Sequence, residues 1–553
     1  MNQKTIILIA IVLVVGLPFV FQRDGEAPVR ADRSLVVVSP HNEAIRAEFS
    51  RGFADWYRLT YGGDVAIDWR VPGGTSEIVR YLNAQYTNAF RNYWEGTLGR
   101  RWNANVQSAF SDPAADKISD EAAEEDPRLA ERREARQAFL ASNVGIGVDM
   151  FFGGGSYEFG LQAARGQLVP SPVILENPSW LSETIIPLNF AGEPMRDGAG
   201  RWIGACLSSF GIIYNRDRLK ALGYDGIPDA WDDLADERFL GQVALADPTK
   251  SGSIAKAFEM IIQSAMQRRL TNALASSAIT PEDERLAVAQ GWLDGLRTIQ
   301  LISANAKYFT DSAGKPVQDV SSGDCAVGMA IDFYGRFQEQ NLTLRQAGGP
   351  KQTPRFGFIM PRGGSSLSAD PIALLRGAPD PDIAGALIEY VLSMEGQQRW
   401  GFLAGSPGGP ERFTLRRSPI RIDFYHDTPV EYRSDPDVNP YEEVGDFVYR
   451  AEWTGPLFSI MRMLIKAAFI DPHPELIDAR SAIVRARAEG RIAAADEAEA
   501  VLMDLSTIDY AQALGPIREA MRSGALGRLK EEARLASHFR AQYQEARRIA
   551  EGR

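Results

Sequence analysis

The chain has 553 residues, 45% of them apolar, enough to bury more than one hydrophobic core and to build two or three domains. Its formal charge of −12 and the lack of a strongly basic patch argue against a nucleic-acid partner. With 2 cysteines and 4 histidines there is no cluster with zinc spacing.

Met1-Asn-Gln-Lys4 forms a short cationic segment ahead of Thr5 to Phe21, which carries no charge. That run is at the lower limit for a spanning helix and slightly longer than the usual apolar part of a signal peptide. It predicts an exported chain, cleaved near Val29-Arg30-Ala31 or kept as an uncleaved anchor, with no following cysteine for lipid attachment. Cys206 and Cys325 then read either as a pair in an oxidising compartment or as two buried free thiols.

From Leu35 to about Leu82 the pattern is strand, helix, strand, loop, helix. Leu35-Val-Val-Val ends in Ser39-Pro40-His41-Asn42, and Ile45, Phe49, Phe53 and Trp56 follow at helical spacing. Val65 to Trp69 is a second strand, and Gly73-Gly74-Thr75-Ser76 leads from it into the next helix. Such alternation predicts a parallel α/β sheet. Residues 83–141 interrupt it, and the charged stretch Asp112 to Arg136 predicts a solvated helical insertion or a mobile loop.

The strand pattern resumes at Val144 to Phe152 and runs into Gly153-Gly154-Gly155-Ser156. Ala205 to Asn215, with Ser208-Ser209 inside it, is long enough to pass between two lobes. Val243-Ala-Leu-Ala ends in Asp247-Pro-Thr249-Lys-Ser251-Gly252-Ser253 and a long helical region. The strand Cys325 to Ile331 runs into Asp332-Phe333-Tyr334, and Arg355 to Pro361 reads as a return crossing. Ala384 to Trp400 has the spacing of one amphipathic helix, and helical sequence rich in Arg and Glu follows Arg412.

The recurring device is an apolar strand ending in small polar residues at the start of a helix. Free N–H groups and hydroxyls converge there, and a ligand can sit on the positive end of the helix. Thr249, Ser251, Gly252 and Ser253 form the fullest such cradle, with Gly154, Gly155, Thr75, Ser76, Ser208 and Ser209 as further donors or close-approach backbone. No Gly-x-Ser-x-Gly elbow or Walker A loop occurs. A Ser251–His41–Asp332 triad can be drawn, so a hydrolase stays as a rival from another class.

In their order these segments resemble an extracellular solute-binding protein of an ABC importer, and most of all the branch of periplasmic ferric-ion-binding proteins. The resemblance rests on Ser39 to Ala44, Gly73-Gly74-Thr75, Gly211 to Asn215, Trp231 to Leu234, Asp247 to Gly252, Gly328 to Asp332, Ile372 to Ala378 and Ser393 to Gln397. It implies an α/β, two-lobed periplasmic-binding-protein fold of type II character with crossing hinge strands, extended here by a helical insertion and a helical C-terminal extension. The expected divisions are a signal peptide or anchor at 1–32, a first lobe at 33–205 with the insertion 83–141, a second lobe at 206–355, a return to the first at 356–411, and the extension at 412–553.

The resemblance further implies a ligand site of Ser39, His41, Asn42, Gly74, Thr75, Ser76, Gly154, Gly155, Ser208, Ser209, Thr249, Ser251, Gly252, Ser253, Asp332 and Tyr334. Its metal set is reduced to His41 and Tyr334, because Phe333 stands where the ferric branch has a second tyrosine and glycines follow Phe152. The expected ligand is a phosphate- or phosphonate-type anion, or ferric iron held with such an anion, and no cofactor is required. The partner is an inner-membrane permease, and the place is the periplasm or another extracytoplasmic space. A membrane-tethered sensor or scaffold that docks through its helical tail is the alternative.

Overall fold

The computed structural model describes residues 31–276, 280–345, 354–443, 445 and 447–552, so the apolar run Thr5 to Phe21 lies outside the described residues. No helix among the described residues is long and apolar enough to cross a membrane.

Two twisted sheets organise the chain. The first has seven strands: Ser418–Pro419, Ile203–Ser208, Ser368–Leu375, Met150–Phe152, Arg33–Val38 and Val65–Arg70 lie side by side, and Leu168–Val169 pairs off the path with Ser368–Leu375. Arg33–Val38 pairs in parallel with both Val65–Arg70 and Met150–Phe152. Alternate side chains supply opposite faces, as a period of two requires. Leu35, Val37, Met150 and Phe152 join Ile45, Phe49 and Phe53 of the helix Glu43–Thr60. Val38 and Phe151 instead join Ile78, Leu82, Tyr86 and Phe90 of the helix Thr75–Asn92.

The second sheet has five strands in the order Ala306–Thr310, Val243–Ala246, Val327–Ile331, Phe210–Asn215 and Phe356–Ile359. Two connections join the sheets. Ile203–Ser208 ends in the first sheet and Phe210–Asn215 begins in the second, with Ser209 alone between them. The sequence reads that stretch as one strand, but at Ser209 it changes sheets, and the Ser209 N–H leaves the ladder to donate to Asp332 Oδ2 at 3.1 Å. The return runs from Phe356–Ile359 to Ser368–Leu375, and the two connections touch where the Phe210 N–H donates to Ser365 Oγ at 3.1 Å.

Three local expectations are refined. The charged insertion is helical, and it is stitched down: Phe90, Trp94, Phe110 and Phe139 form a core, while the buried Arg136 pairs with Asp116 and donates to the carbonyls of Ala164 and Arg165 at 2.8 and 2.6 Å. Ala384 to Trp400 is two helices, Pro381–Leu392 and Met394–Gly401. Ser393 between them has extended backbone, and its Oγ accepts the Gly396 N–H and restarts the helix. Both cysteines are buried free thiols.

The helices after Arg450 belong to the second sheet's core. Phe458–Ile465, His473–Ala488 and Ala525–Ala550 place Met461, Leu476, Phe539 and Tyr543 in one cluster with Phe210, Val243, Phe258 and Trp292. Polar bonds fix the contact. Trp292 Nε1 donates to the Ile508 carbonyl at 2.9 Å, Gln300 Nε2 donates to Tyr543 Oη at 3.0 Å, and that hydroxyl donates to the Ala468 carbonyl at 3.0 Å. Tyr543→Ala should therefore cost about 3–5 kcal/mol, as deletion of a fully buried aromatic does, and lower the midpoint of chemical denaturation.

Candidate functional site

The ends of both sheets and the first helix of the C-terminal region enclose a cavity of about 890 Å³. Three helices begin on its wall. Thr75–Asn92 and Ser156–Arg165 start from Gly74 and Gly155, which offer no side chain to cap them, and Gly252–Ser276 starts behind Ser251. The first N–H groups of a helix have no partner within it, so these starts make the wall electropositive and rich in donors. Ser251 Oγ accepts the Ile254 N–H at 3.3 Å, which leaves the N–H groups of Gly252 and Ser253 at the front of the turn.

Glycine is needed where the loop after Met150–Phe152 squeezes past its neighbours. Gly153 has φ +96°, and a Cβ there would lie 2.7 Å from His41 Nε2. Gly154 has φ +131°, and a Cβ there would lie 2.7 Å from Thr75 Cγ2.

Of the residues singled out in the sequence, Gly74, Thr75, Gly154, Gly155, Ser208, Ser251, Gly252, Ser253 and Tyr334 line the cavity. The others stand behind them. Ser39 is buried and its Oγ accepts the His41 N–H at 3.0 Å, while Asn42 caps the helix Glu43–Thr60 by accepting the Ile45 N–H at 3.1 Å. Thr249 turns inward, donating from N and Oγ1 to Asp247 Oδ1 at 2.7 Å each. Ser76 Oγ accepts from Arg462 at 2.7 Å. Ser209 and Asp332 hold each other at the crossing, and Asp332 also accepts the Phe333 N–H at 2.8 Å. Neither Asp332 nor His41 reaches the cavity with Ser251, so the drawn triad is not assembled.

The His41 ring packs edge-on against Phe152 and Trp400, with Nε2 3.5 Å from Asp370 Oδ2. The Tyr334 ring lies tilted against Phe333 with its centre 4.3 Å away, and burial raises its pKa. Among the described residues no group of three or more His, Cys, Asp or Glu side chains is placed to hold a metal ion.

Lys250 of the turn Asp247 to Ser253 lines the cavity, and the other charges on or behind its wall take most of their partners from distant parts of the chain. Asp370, on the return strand, pairs with Arg417 and accepts the Gly154 N–H at 2.6 Å. Arg417 also donates to Ser208 Oγ at 2.9 Å, and its guanidinium lies 4.3 Å from the centre of the Phe333 ring, in the other lobe. Lys256 lies between Glu193 at 2.7 Å and Glu259 at 2.9 Å, over the ring of Tyr449. Arg462 spans the two lobes: it donates to the Pro248 and Thr249 carbonyls at 2.7 and 3.2 Å and to Ser76 Oγ. Burial alone would lower the Lys256 pKa, but the charges of Glu193 and Glu259 outweigh it and raise it.

Residues 174–412 match the family model described as bacterial extracellular solute-binding protein. Among solved structures, the periplasmic binding protein AfuA of Actinobacillus pleuropneumoniae, with exogenous fructose 6-phosphate bound, aligns with a TM-score of 0.50 at 14% identity, over 79% of this chain and 99% of that one. The chain has the fold of a periplasmic solute-binding protein. Curated relatives are more partial. An uncharacterized protein of Haemophilus influenzae is 23% identical over 189 residues, or 34% of this chain and 44% of that one. The phosphoglycerate transport regulatory protein of Salmonella typhimurium is 24% identical over 197 residues, or 35% of this chain and 40% of that one. The chain thus spans about two fifths of the length of the curated relatives it matches.

Burial pushes the Asp370 pKa up, but the Arg417 charge, His41 and the Gly154 N–H outweigh it and hold it at about 2. A carboxyl depressed in the folded state stabilises above its unfolded pKa of about 3.9 and loses that contribution as pH falls through the folded value. Asp370→Asn should leave Arg417 buried without its counter-charge and cost about 3–5 kcal/mol at pH 7. In acid titrations of stability, the difference from wild type should shrink between about pH 4 and pH 2.

Proposed function

We propose that this protein is the substrate-binding component of an ABC importer, and that it closes its two lobes around a phosphorylated organic solute. The observation that carries the reading is the convergence of three helix starts on one cavity, two of them with no side-chain cap. Such starts hold the oxygens of a phosphate-type group. A volume of about 890 Å³ is far more than a bare ion needs and leaves room for the organic part against Tyr157, Phe210, Phe333 and Phe458. The fructose 6-phosphate in the structural neighbour and the phosphoglycerate transport of the Salmonella relative fit the same class of solute.

A solute that touches Thr75 or Gly154 on one side and Ser253 or Tyr334 on the other favours the closed arrangement, because only there are both sets of contacts made. The closed form is then what a membrane permease reads, with the protein working outside the inner membrane. Ferric iron is the second choice: His41 is shut behind Gly153 and away from the cavity, which leaves Tyr334 without it.

Titration calorimetry with 3-phosphoglycerate, fructose 6-phosphate, inorganic phosphate and ferric citrate tests the reading. A phosphoester should bind and ferric citrate should not. Replacing Ser251 and Ser253 together by Ala should weaken phosphoester binding about tenfold. A coloured ferric complex with no phosphoester binding would overturn it.

A further inference from the structure

One group on the cavity wall is unexpected in a phosphate site. Glu158 is 6% exposed and lines the cavity, and its Oε1 has no hydrogen-bond partner. Its carboxyl lies against two helix starts. Oε2 would be 2.9 Å from a Cβ on Gly155, and Oε1 would be 3.6 Å from a Cβ on Gly252. The nearest cation is Arg462, with Nη1 3.9 Å from Oε1, a distance for charge attraction and not for a hydrogen bond. An oxyanion seated on the N–H groups of Gly252 and Ser253 therefore meets an acceptor, Glu158 Oε1, beside its donors.

We infer that Glu158 makes the cavity selective for an oxyanion that carries a proton, so that a phosphomonoester is accepted and the corresponding sulfate ester is rejected. The inference rests on the phosphate reading above and names the group that would discriminate within it. Two ionised acidic oxygens in contact repel each other, whereas one shared proton turns the contact into a charge-assisted hydrogen bond. A phosphomonoester supplies that proton readily, since its second pKa is about 6. A sulfate ester has none to give, and Glu158 alone would have to be protonated to receive it.

The surroundings set how the proton is held. Burial is the largest influence on Glu158 and raises its pKa, while Arg462, the residue's own backbone N–H and Lys256 oppose it. Glu259 adds a like charge from the helix Gly252–Ser276, and Tyr157 faces the carboxyl from its own helix start. Above the second pKa of the ester, the pair formed by carboxylate and dianion must take up one proton from solvent as it assembles.

The test is calorimetry on the full chain at pH 6 and pH 8, with 3-phosphoglycerate, fructose 6-phosphate and inorganic phosphate each set against its sulfate counterpart. At pH 8 the titrations are repeated in two buffers of different ionisation enthalpy. The wild type should bind the phosphate form at least about tenfold tighter than the sulfate form, the scale of an acceptor left facing an ionised oxygen. It should take up about one proton per solute at pH 8, because the free ester has lost its own. Glu158→Gln, whose amide donates, should lose the proton uptake and narrow the preference. Phosphoester binding with no proton uptake, or equal affinity for the sulfate form, overturns this inference and leaves the phosphate reading standing. Failure of every phosphate probe overturns both. If Glu158→Gln does not fold, the wild-type ester comparison and proton count decide the matter by themselves.

Discussion

The buried pair of Asp370 and Arg417 is the constraint on which the site depends. Asp370 sits on the strand that returns to the first sheet, and its carboxylate holds the Gly154 N–H and stands beside His41. Arg417 carries the same charge pair across the crossing, to Ser208 and to the face of Phe333. Two charges shut away from water are stable only while each satisfies the other. The glycine loop, the first helix entry and both crossing segments are thereby tied to one buried charge pair.

The charge pattern of the cavity follows from the same arrangement. Its donors are backbone N–H groups at helix starts, which need no long side chains and lose no rotamer freedom when a ligand binds. Two of its cations are spoken for, Arg417 by Asp370 and Lys256 by Glu193 and Glu259, while Lys250 also lines it. The selectivity proposed for such a wall rests less on net charge than on which acceptors remain unsatisfied. Glu158 is the buried carboxylate of the lining whose Oε1 has no hydrogen-bond partner.

The helical C-terminal region is structural on its inner side. Trp292, Gln300 and Tyr543 tie it into the second lobe, and Arg462 reaches from it to Ser76 in the first lobe and to the Pro248 and Thr249 carbonyls in the second. A single guanidinium that bridges both lobes adds to the closed arrangement a contact that the two lobes do not make by themselves. The side chains that dock this region are spaced as an ordinary amphipathic pattern, so its contact with both lobes has no mark in the local sequence.

Periodicity and punctuation in the sequence determined the elements: valine-rich strands, helices striped by Ile45, Phe49 and Phe53, and small polar residues at the strand ends where the cavity opens. Those signals are local, arising from a period of two or 3.6 and from the capping needs of a helix start. The sequence did not reveal that one apolar stretch is broken at Ser209, that His41 is sealed behind Gly153, or that Arg417, Lys256 and Glu158 stand on the cavity wall while Arg462 braces it from behind. Each of these depends on which strands and helices lie side by side, and several on partners far off in the chain, as with Arg462 and Ser76. Local chemistry marked the helix starts at Gly74, Gly155 and Gly252 that line the cavity. Which acceptors the wall presents was decided only by the tertiary structure, which buries charges against particular partners and leaves one oxygen of Glu158 without a hydrogen bond.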